Sequence, residues 1–99
     1  MKELYILSTN LGFIPQNISI SWKTDSYLWM CELQKWLREN HNIIVMVEPY
    51  SNGSSSCRFI WDRFILNNIW MLDSFSMEKH EKYEKALEIG LYESIKLIK

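Results

Sequence analysis

Two cysteines and two histidines are the residues of this 99-residue sequence that have the chemistry to hold a metal ion: Cys31, His41, Cys57 and His80. A structural zinc site takes its ligands as Cys or His pairs about two to five residues apart. No two of these four residues are that close. If one helix joins Cys31 to His41, the two lie about 15 Å apart. The spacing therefore predicts core thiols and surface histidines, with no metal site.

Cysteine and histidine side chains can also carry out nucleophilic catalysis together. Cys57 is the candidate nucleophile because it ends a Ser-rich loop. That chemistry needs a histidine in hydrogen-bond contact and an oxyanion site, and no motif around Cys57 supplies them. The run Gly53-Ser54-Ser55-Ser56 resembles a phosphate loop but lacks the lysine and the following helix. We therefore expect no enzyme activity, no catalytic residue and no cofactor.

The segment Arg58–Phe64 is the best case for nucleic-acid binding, since aromatic side chains on a sheet beside arginine can stack bases. However, Arg58 and Arg63 are an odd number of residues apart, so on a strand they point to opposite faces. Asp62 shares the face of Arg58. The net charge of −1 adds no general attraction to polynucleotides. A small single-stranded nucleic-acid-binding protein is kept as the alternative function.

The segment Tyr83–Ile98 carries the clearest pattern of the chain, a continuous apolar stripe at the spacing of an α-helix. Within the stripe, Ala86, Gly90 and Ser94 recur every four residues and leave one line of the helix nearly bare. A glycine inside a helix costs about 1 kcal/mol relative to alanine. We expect this line to bring the helix close to a sheet.

The remaining pattern predicts an edge strand, a helix and three strands before that last helix. The alternation of Asn17–Trp22 indicates the edge strand, and Thr24-Asp25-Ser26 starts a helix that ends at 40–42. Short turns favour an antiparallel meander, including a hairpin at Asn67-Asn68. Its three strands are predicted at Ile43–Val47, Cys57–Leu66 and Ile69–Phe75, with Ser76 capping the last helix.

The predicted fold class is α+β, in a single domain over 1–99 with a docking arm at 1–16 and an α+β core at 17–99. Within the arm, Leu4–Leu7 is expected to form a short strand. The sequence has no apolar run of the roughly 18–20 residues that a membrane span needs. Leu4–Leu7 is also too short for a signal peptide, so we expect a cytoplasmic protein with reduced cysteines.

The predicted sheet is apolar on both faces, although both helices are expected to cover only one. Large exposed apolar patches mark interfaces, where Trp, Tyr, Phe and Met are enriched. Either the arm covers the second face or another molecule does. We expect action through protein–protein contact, in a homodimer or with another protein. The candidate interface residues are Phe59, Trp61, Phe64, Trp70 and Leu72.

Two segments also resemble known sequence signatures. Residues 32–43 are similar to QKWLRE-x-H-x-I, and residues 83–98 are similar to YEEALE-x-GL…LI. Both occur in a group of small proteins of bacteriophages, prophages and mobile elements of gut bacteria. The resemblance covers about residues 30–98 and implies a phage-type accessory protein in the bacterial cytoplasm. It carries over no catalytic residue. The stretch Ser76–Lys82 is longer and more charged than the group's usual lead into the last helix.

Overall fold

A computed structural model describes residues 1–50, 58–67, 70–75, 80 and 82–98 of the chain. It confirms the α+β class. The elements, in chain order, are α1 (Lys2–Asn10), α2 (Ser26–His41), β1 (Ile43–Tyr50), β2 (Arg58–Asn67), β3 (Trp70–Phe75) and α3 (Tyr83–Ile95). The predicted Ser-rich loop, Cys57, Asn68 and Ser76 lie outside the described residues.

Strand β2 pairs antiparallel with β1 on one side and with β3 on the other. Val45 of β1 lies opposite Arg63 of β2. Side chains alternate between the two faces of a sheet, so every second residue pair counted from this one lies on the same face as Val45 and Arg63. Ile43, Val45 and Trp61 on this face are buried. The face lies against α2 and α3, so both helices pack on one side of the sheet.

Helix α3 lies on the sheet through the line of small residues that the sequence predicts. Ala86, Gly90 and Ser94 are all fully or almost fully buried. A Cβ atom on Gly90 would lie 3.0 Å from Cβ and Cγ of Trp61. It would also lie 3.1 Å from Cγ1 of Val45. Glycine is therefore needed here for a close approach of the helix backbone to the strands.

Helix α2 begins and ends where the sequence predicts, after Asp25 and at Asn42. Asn42 has φ 57° and ψ 30°, the left-handed conformation that asparagine tolerates at the end of a helix. The Asp25 side chain makes no capping bond to the first turn of α2. Its Oδ2 atom accepts instead from the backbone N–H of Ser21 at 3.3 Å. Asp25 thus ties the preceding loop to the helix start.

The predicted strand at Leu4–Leu7 is wrong, because these residues lie in helix α1. Leu4, Leu7, Ser8 and Leu11 follow helical spacing, and they face the core or pack at its edge. Helix α1 contacts α3. The apolar block looked like a strand because four residues are too few to distinguish the two periods. Packing against α3 then decides in favour of a helix.

The predicted edge strand at Asn17–Trp22 is also wrong, since the segment forms turns. The Asn17 side-chain oxygen accepts from the Ser19 backbone N–H at 3.1 Å and from its hydroxyl at 2.6 Å. The Ile20 N–H donates to the Asn17 carbonyl at 3.0 Å. Such local bonds compete with a sheet ladder, and they explain why an alternating sequence does not form a strand here.

Helix α3 begins at Tyr83, so the predicted start of this helix at Ser76 is wrong. The backbone of His80 exchanges two hydrogen bonds with that of Phe59, at 2.7 and 2.8 Å. Lys82 is also extended, with φ −118° and ψ 138°. The lead into α3 therefore runs beside the first part of β2 at this point.

Candidate functional site

Of the five predicted interface residues, the structure describes the side chains of Phe59 and Trp61. Trp61 is only 8% exposed and lies beneath Gly90 of α3. The Phe59 ring is half-buried and packs edge-on against Tyr83, with ring centroids 5.8 Å apart. The side chains of Phe64, Trp70 and Leu72 lie outside the described residues. Trp61 is thus covered by the chain's own helix, and the assignment of the five residues to an external contact stays a prediction.

The sheet face away from the helices carries Ile44, Met46 and Ile60 among its described side chains. Met46 is 42% exposed, whereas Ile44 and Ile60 are half-buried. The N-terminal arm does not lie over this face in the described structure, because α1 packs on α3 and Phe13 packs on α2. The arm therefore belongs to the helical layer.

The outer edge of β1 is partly closed to strand addition. The double hydrogen bond between Phe59 and His80 directs the backbone groups of Phe59 away from β1. Hydrogen-bonded and non-hydrogen-bonded pairs alternate along two antiparallel strands. Because Pro49 pairs with Phe59 and Val45 lies four residues away, the backbone polar groups of Val45 and Pro49 point to the outer edge of β1. The side-chain amide of Gln34 donates to the Val45 carbonyl, and Pro49 has no N–H to offer. These are features that protect an edge from pairing with another chain.

A concave surface among the described residues lies between the arm and α2, and we call it the arm groove. Its volume is about 340 Å³. Its lining has no charged side chain, and its exposed surface is about as polar as it is apolar. The groove is lined by Tyr5, Ile14, Pro15, Ile18, Ile20, Ser21, Trp22 and Trp29.

Stacked aromatic rings build the floor of the arm groove. Tyr5 of α1 stacks on Trp22, with centroids 5.1 Å apart and planes 25° apart. Tyr5 also contacts Trp29 of α2 at 6.2 Å. Trp29 in turn meets Phe13 edge-on at 5.3 Å, and Phe13 is 3% exposed. The floor is therefore anchored in the core through Trp29 and Phe13.

Two isoleucines project to solvent at the rim of this groove. Ile18 is 85% exposed and Ile14 is 70% exposed. Ile18 is presented by the turn that Asn17 stabilises, next to Trp22 along the groove. Single exposed apolar residues are ordinary, but two beside an aromatic groove form a patch of the kind found at interfaces.

The charged side chains beside the groove differ in their exposure and in their hydrogen bonds. Asp25 and Glu32 are half-buried, and each accepts a hydrogen bond from a backbone N–H, of Ser21 at 3.3 Å and of Gln16 at 3.2 Å. Lys23 is exposed, and its Nζ atom lies 5.4 Å from the centre of the Trp22 ring. Lys2 is also exposed and lies one helical turn before Tyr5. The cations therefore face solvent, whereas the carboxylates are engaged by the backbone.

Of the residues considered for catalysis or metal binding, Cys31 and His41 do not line the arm groove, and Cys57 lies outside the described residues. His41 packs edge-on against Trp36 at 4.8 Å. Cys31 is a free, half-buried thiol on α2, beside Tyr27. A hydrogen bond with Cys31 and the charge of Cys31 raise the pKa of Tyr27 above 10.0, with a smaller contribution from Tyr83. Over the described residues there is no group of three or more His, Cys, Asp or Glu placed to bind a metal ion.

The described helices include none with the length and apolar character needed to span a membrane. Comparison of the chain with protein-family models, with curated proteins and with solved structures found no match. The resemblance of residues 30–98 to phage and mobile-element proteins thus stays a prediction from the two signatures.

The arm groove does not follow from the sequence pattern, in which Leu4–Leu7 and Asn17–Trp22 both indicate strands. The signal that was present is the spacing of Leu4, Leu7 and Leu11, which fits one face of a helix. That helix sets Tyr5 beside Trp22. No sequence pattern of this length predicts the contact of Tyr5 with Trp22, because tertiary packing brings helix α1 against the loop that precedes α2.

Proposed function

We propose that this chain acts by protein–protein contact, without catalysis, and that the arm groove is its docking surface. The observation that carries the proposal is the exposure of Ile18 and Ile14 beside an uncharged aromatic groove of about 340 Å³. In line with the two sequence signatures, we further propose a phage-type accessory protein that works in the bacterial cytoplasm. Its scaffold is a helix, a three-stranded meander and a C-terminal helix, with the arm packed on the helices.

The physical basis is that a rigid apolar surface contributes to binding without a large loss of conformational entropy. Tyr5, Trp22 and Trp29 are held by one another and by Phe13, so few rotamers are lost when a partner docks. Trp and Tyr are also the side chains that most often dominate the binding energy of an interface. A partner side chain in the groove would contact the rings of Tyr5 and Trp22, with the buried Trp29 behind them.

Nucleic-acid binding through the strand aromatics has less support. Trp61 lies under α3, and the Phe59 ring packs on Tyr83. The guanidinium of Arg63 is directed to the helix side, where its Nη1 donates to the Glu93 carbonyl at 3.5 Å. Stacking of bases would need a freely exposed ring, and neither Phe59 nor Trp61 offers one.

The test is sedimentation of the labelled chain in a nuclease-treated extract of cells that make it. We expect the wild-type chain to sediment as a complex clearly larger than its own 11.9 kDa. The variant Ile18→Ser with Ile14→Ser should sediment as the free chain, because both changes remove apolar area from the rim without touching the core. Arg38→Ser, an exposed change on α2, is the matched control and should stay in the complex.

Equal sedimentation of the wild-type chain and the double variant would contradict the proposal. A complex that disappears on nuclease treatment would favour the nucleic-acid alternative instead. Equal unfolding midpoints in urea for the three chains are required, so that a loss of the complex reports the surface and not the fold.

A further inference from the structure

We infer that Tyr27 and Tyr83 form a site of oxidative crosslinking, where a one-electron oxidant joins their rings by a carbon–carbon bond. The two rings belong to different helices, α2 and α3. Their centroids lie 6.1 Å apart, with the ring planes at 62°. Among the tyrosines whose side chains the structure describes, this is the one contact between two phenol rings. The inference depends neither on the arm groove nor on any partner of the chain.

The surroundings hold the two phenols beside each other. The Phe59 ring packs edge-on against Tyr83, with centroids 5.8 Å apart, and the Phe59 backbone makes two hydrogen bonds to that of His80. On the other side of the pair, the Tyr27 hydroxyl interacts by hydrogen bonding with the thiol of Cys31. Two reactive groups that are held side by side couple without the entropy cost of a bimolecular encounter. The structure therefore favours a bond within one chain over a bond between two chains.

Both rings are open to an oxidant in solution. Tyr27 is 40% exposed and Tyr83 is 36% exposed. Exposed side chains change rotamer within picoseconds to nanoseconds, so the two rings can close the remaining gap while both are radicals. The other described tyrosines lack this geometry, because Tyr5 stacks on a tryptophan and Tyr92 lies under a lysine. The side chain of Tyr50 lies outside the described residues.

The reaction balances with hydrogen peroxide as the oxidant, activated by a haem peroxidase. Each phenol loses one electron and its hydroxyl proton, which gives two tyrosyl radicals. The radicals join at ring carbons ortho to the oxygens, and the protons on those carbons move to the oxygens, so both rings are phenols again. The chain loses two hydrogen atoms in all, and one molecule of peroxide takes them up to form two molecules of water.

The new bond ties the start of α2 to the start of α3. A long stretch of chain separates Tyr27 from Tyr83, and closing it as a loop removes conformational entropy from the unfolded state. The crosslinked chain should therefore unfold at a higher urea concentration than the untreated chain. The pair thus acts as an oxidation-dependent staple between two helices that lie on the same sheet face.

The experiment treats the dilute full chain with a haem peroxidase and a limiting amount of hydrogen peroxide, followed by trypsin digestion and mass spectrometry. We expect a single chain lighter by two hydrogen atoms, the blue fluorescence of coupled phenols, and a linked pair of tryptic peptides, 24–35 with 83–85. Tyr27→Phe and Tyr83→Phe should each lower the yield of this product by about tenfold or more, because a lone phenol has no partner within reach. Tyr92→Phe on α3 is the matched control and should leave the yield unchanged.

Three other results overturn the inference. A crosslinked product that persists in Tyr83→Phe, or whose yield falls as the chain is diluted, would place the bond elsewhere or between two chains. A bond from Tyr27 to Cys31 within peptide 24–35 would assign the oxidation to a thioether instead. Oxidised tryptophans beside an unlinked Tyr27 and Tyr83 would show that the two phenols do not react together. Equal unfolding midpoints of the untreated variants in urea are required, so that a lost product reports the missing phenol and not the fold.

Discussion

At the scale of single residues, Gly90 sets how closely α3 approaches the sheet. The absent Cβ leaves room for Trp61 and Val45, whose atoms would lie 3.0–3.1 Å from it. The contacting atoms are Cβ and Cγ of Trp61 and Cγ1 of the buried Val45. None of them is the flexible end of a long side chain, so none can easily move aside. One residue thereby fixes the separation of two layers.

We predict that Gly90→Ala destabilises the protein despite the higher helix propensity of alanine. Overpacking costs about 1–3 kcal/mol, and the gain in propensity offsets about 1 kcal/mol of it. We expect a net loss of about 1 kcal/mol in the free energy of unfolding, measured by urea denaturation. Lys85→Ala on the exposed side of α3 is the control, with a change within about 0.5 kcal/mol. A more stable Gly90→Ala variant would show that α3 lies farther from the sheet.

A second prediction concerns the titration of Tyr27, whose pKa is raised above 10.0 mainly by Cys31. The phenolate signal of this residue, isolated as the difference between the wild-type chain and Tyr27→Phe, should appear at higher pH than that of an ordinary tyrosine. Cys31→Ala should shift it back toward 10.0. Because the folded state holds this proton more tightly than the unfolded state, its contribution to stability is full below pH 10 and declines as pH rises through the raised pKa. An unchanged titration in Cys31→Ala would exclude the thiol as the cause.

At the scale of elements, the N-terminal arm is part of the core. Leu4 is almost fully buried against the helical layer, and Phe13 lies between the rings of Trp29 and Trp36. Removal of residues 1–16 would therefore strip the core of two large side chains. It would unfold the protein before it could reveal a covered surface.

The neighbouring residues Phe13 and Ile14 allow a matched test of this role. Phe13→Ala should lower the free energy of unfolding by about 3–5 kcal/mol, because it empties a site between two rings. Ile14→Ala removes an exposed side chain and should change it by less than about 0.5 kcal/mol. Both values come from urea unfolding followed by tryptophan fluorescence. Similar values for the two variants would mean that the arm is not docked as described.

The secondary-structure elements differ in how well the sequence predicts them. Helix α2 follows from its periodicity and end signals. Helix α3 follows from its periodicity, although its predicted start at Ser76 is wrong, and its small-residue line predicts its close packing. The arm does not follow, because Leu4–Leu7 is too short to separate helix from strand and Asn17–Trp22 alternates without pairing. For the candidate site, the sequence predicts an apolar surface rich in aromatic residues but places it on the sheet. The arm groove that we propose depends on where α1 packs, which is a tertiary interaction that the sequence pattern does not predict.

At the scale of the whole molecule, two apolar surfaces compete for the role of docking site. The open sheet face offers Met46 with Ile44 and Ile60 half-buried beside it. The arm groove offers a concave aromatic floor with Ile18 and Ile14 at its rim. Concave sites bury more of a partner side chain than flat ones do, which is why we place the contact at the groove.

The most direct measurement is photocrosslinking inside the cell, with benzoylphenylalanine in place of Ile18, of Met46 or of Arg38. All three positions are exposed, so the probe is tolerated without a change in the core. We predict that the probe at Ile18 gives one discrete crosslinked product. This product is either heavier than twice the 11.9 kDa of the chain or contains peptides that the chain itself lacks. The probe at Arg38 should give none. A product from the Met46 position and none from Ile18 would contradict the arm groove and return the contact to the sheet face.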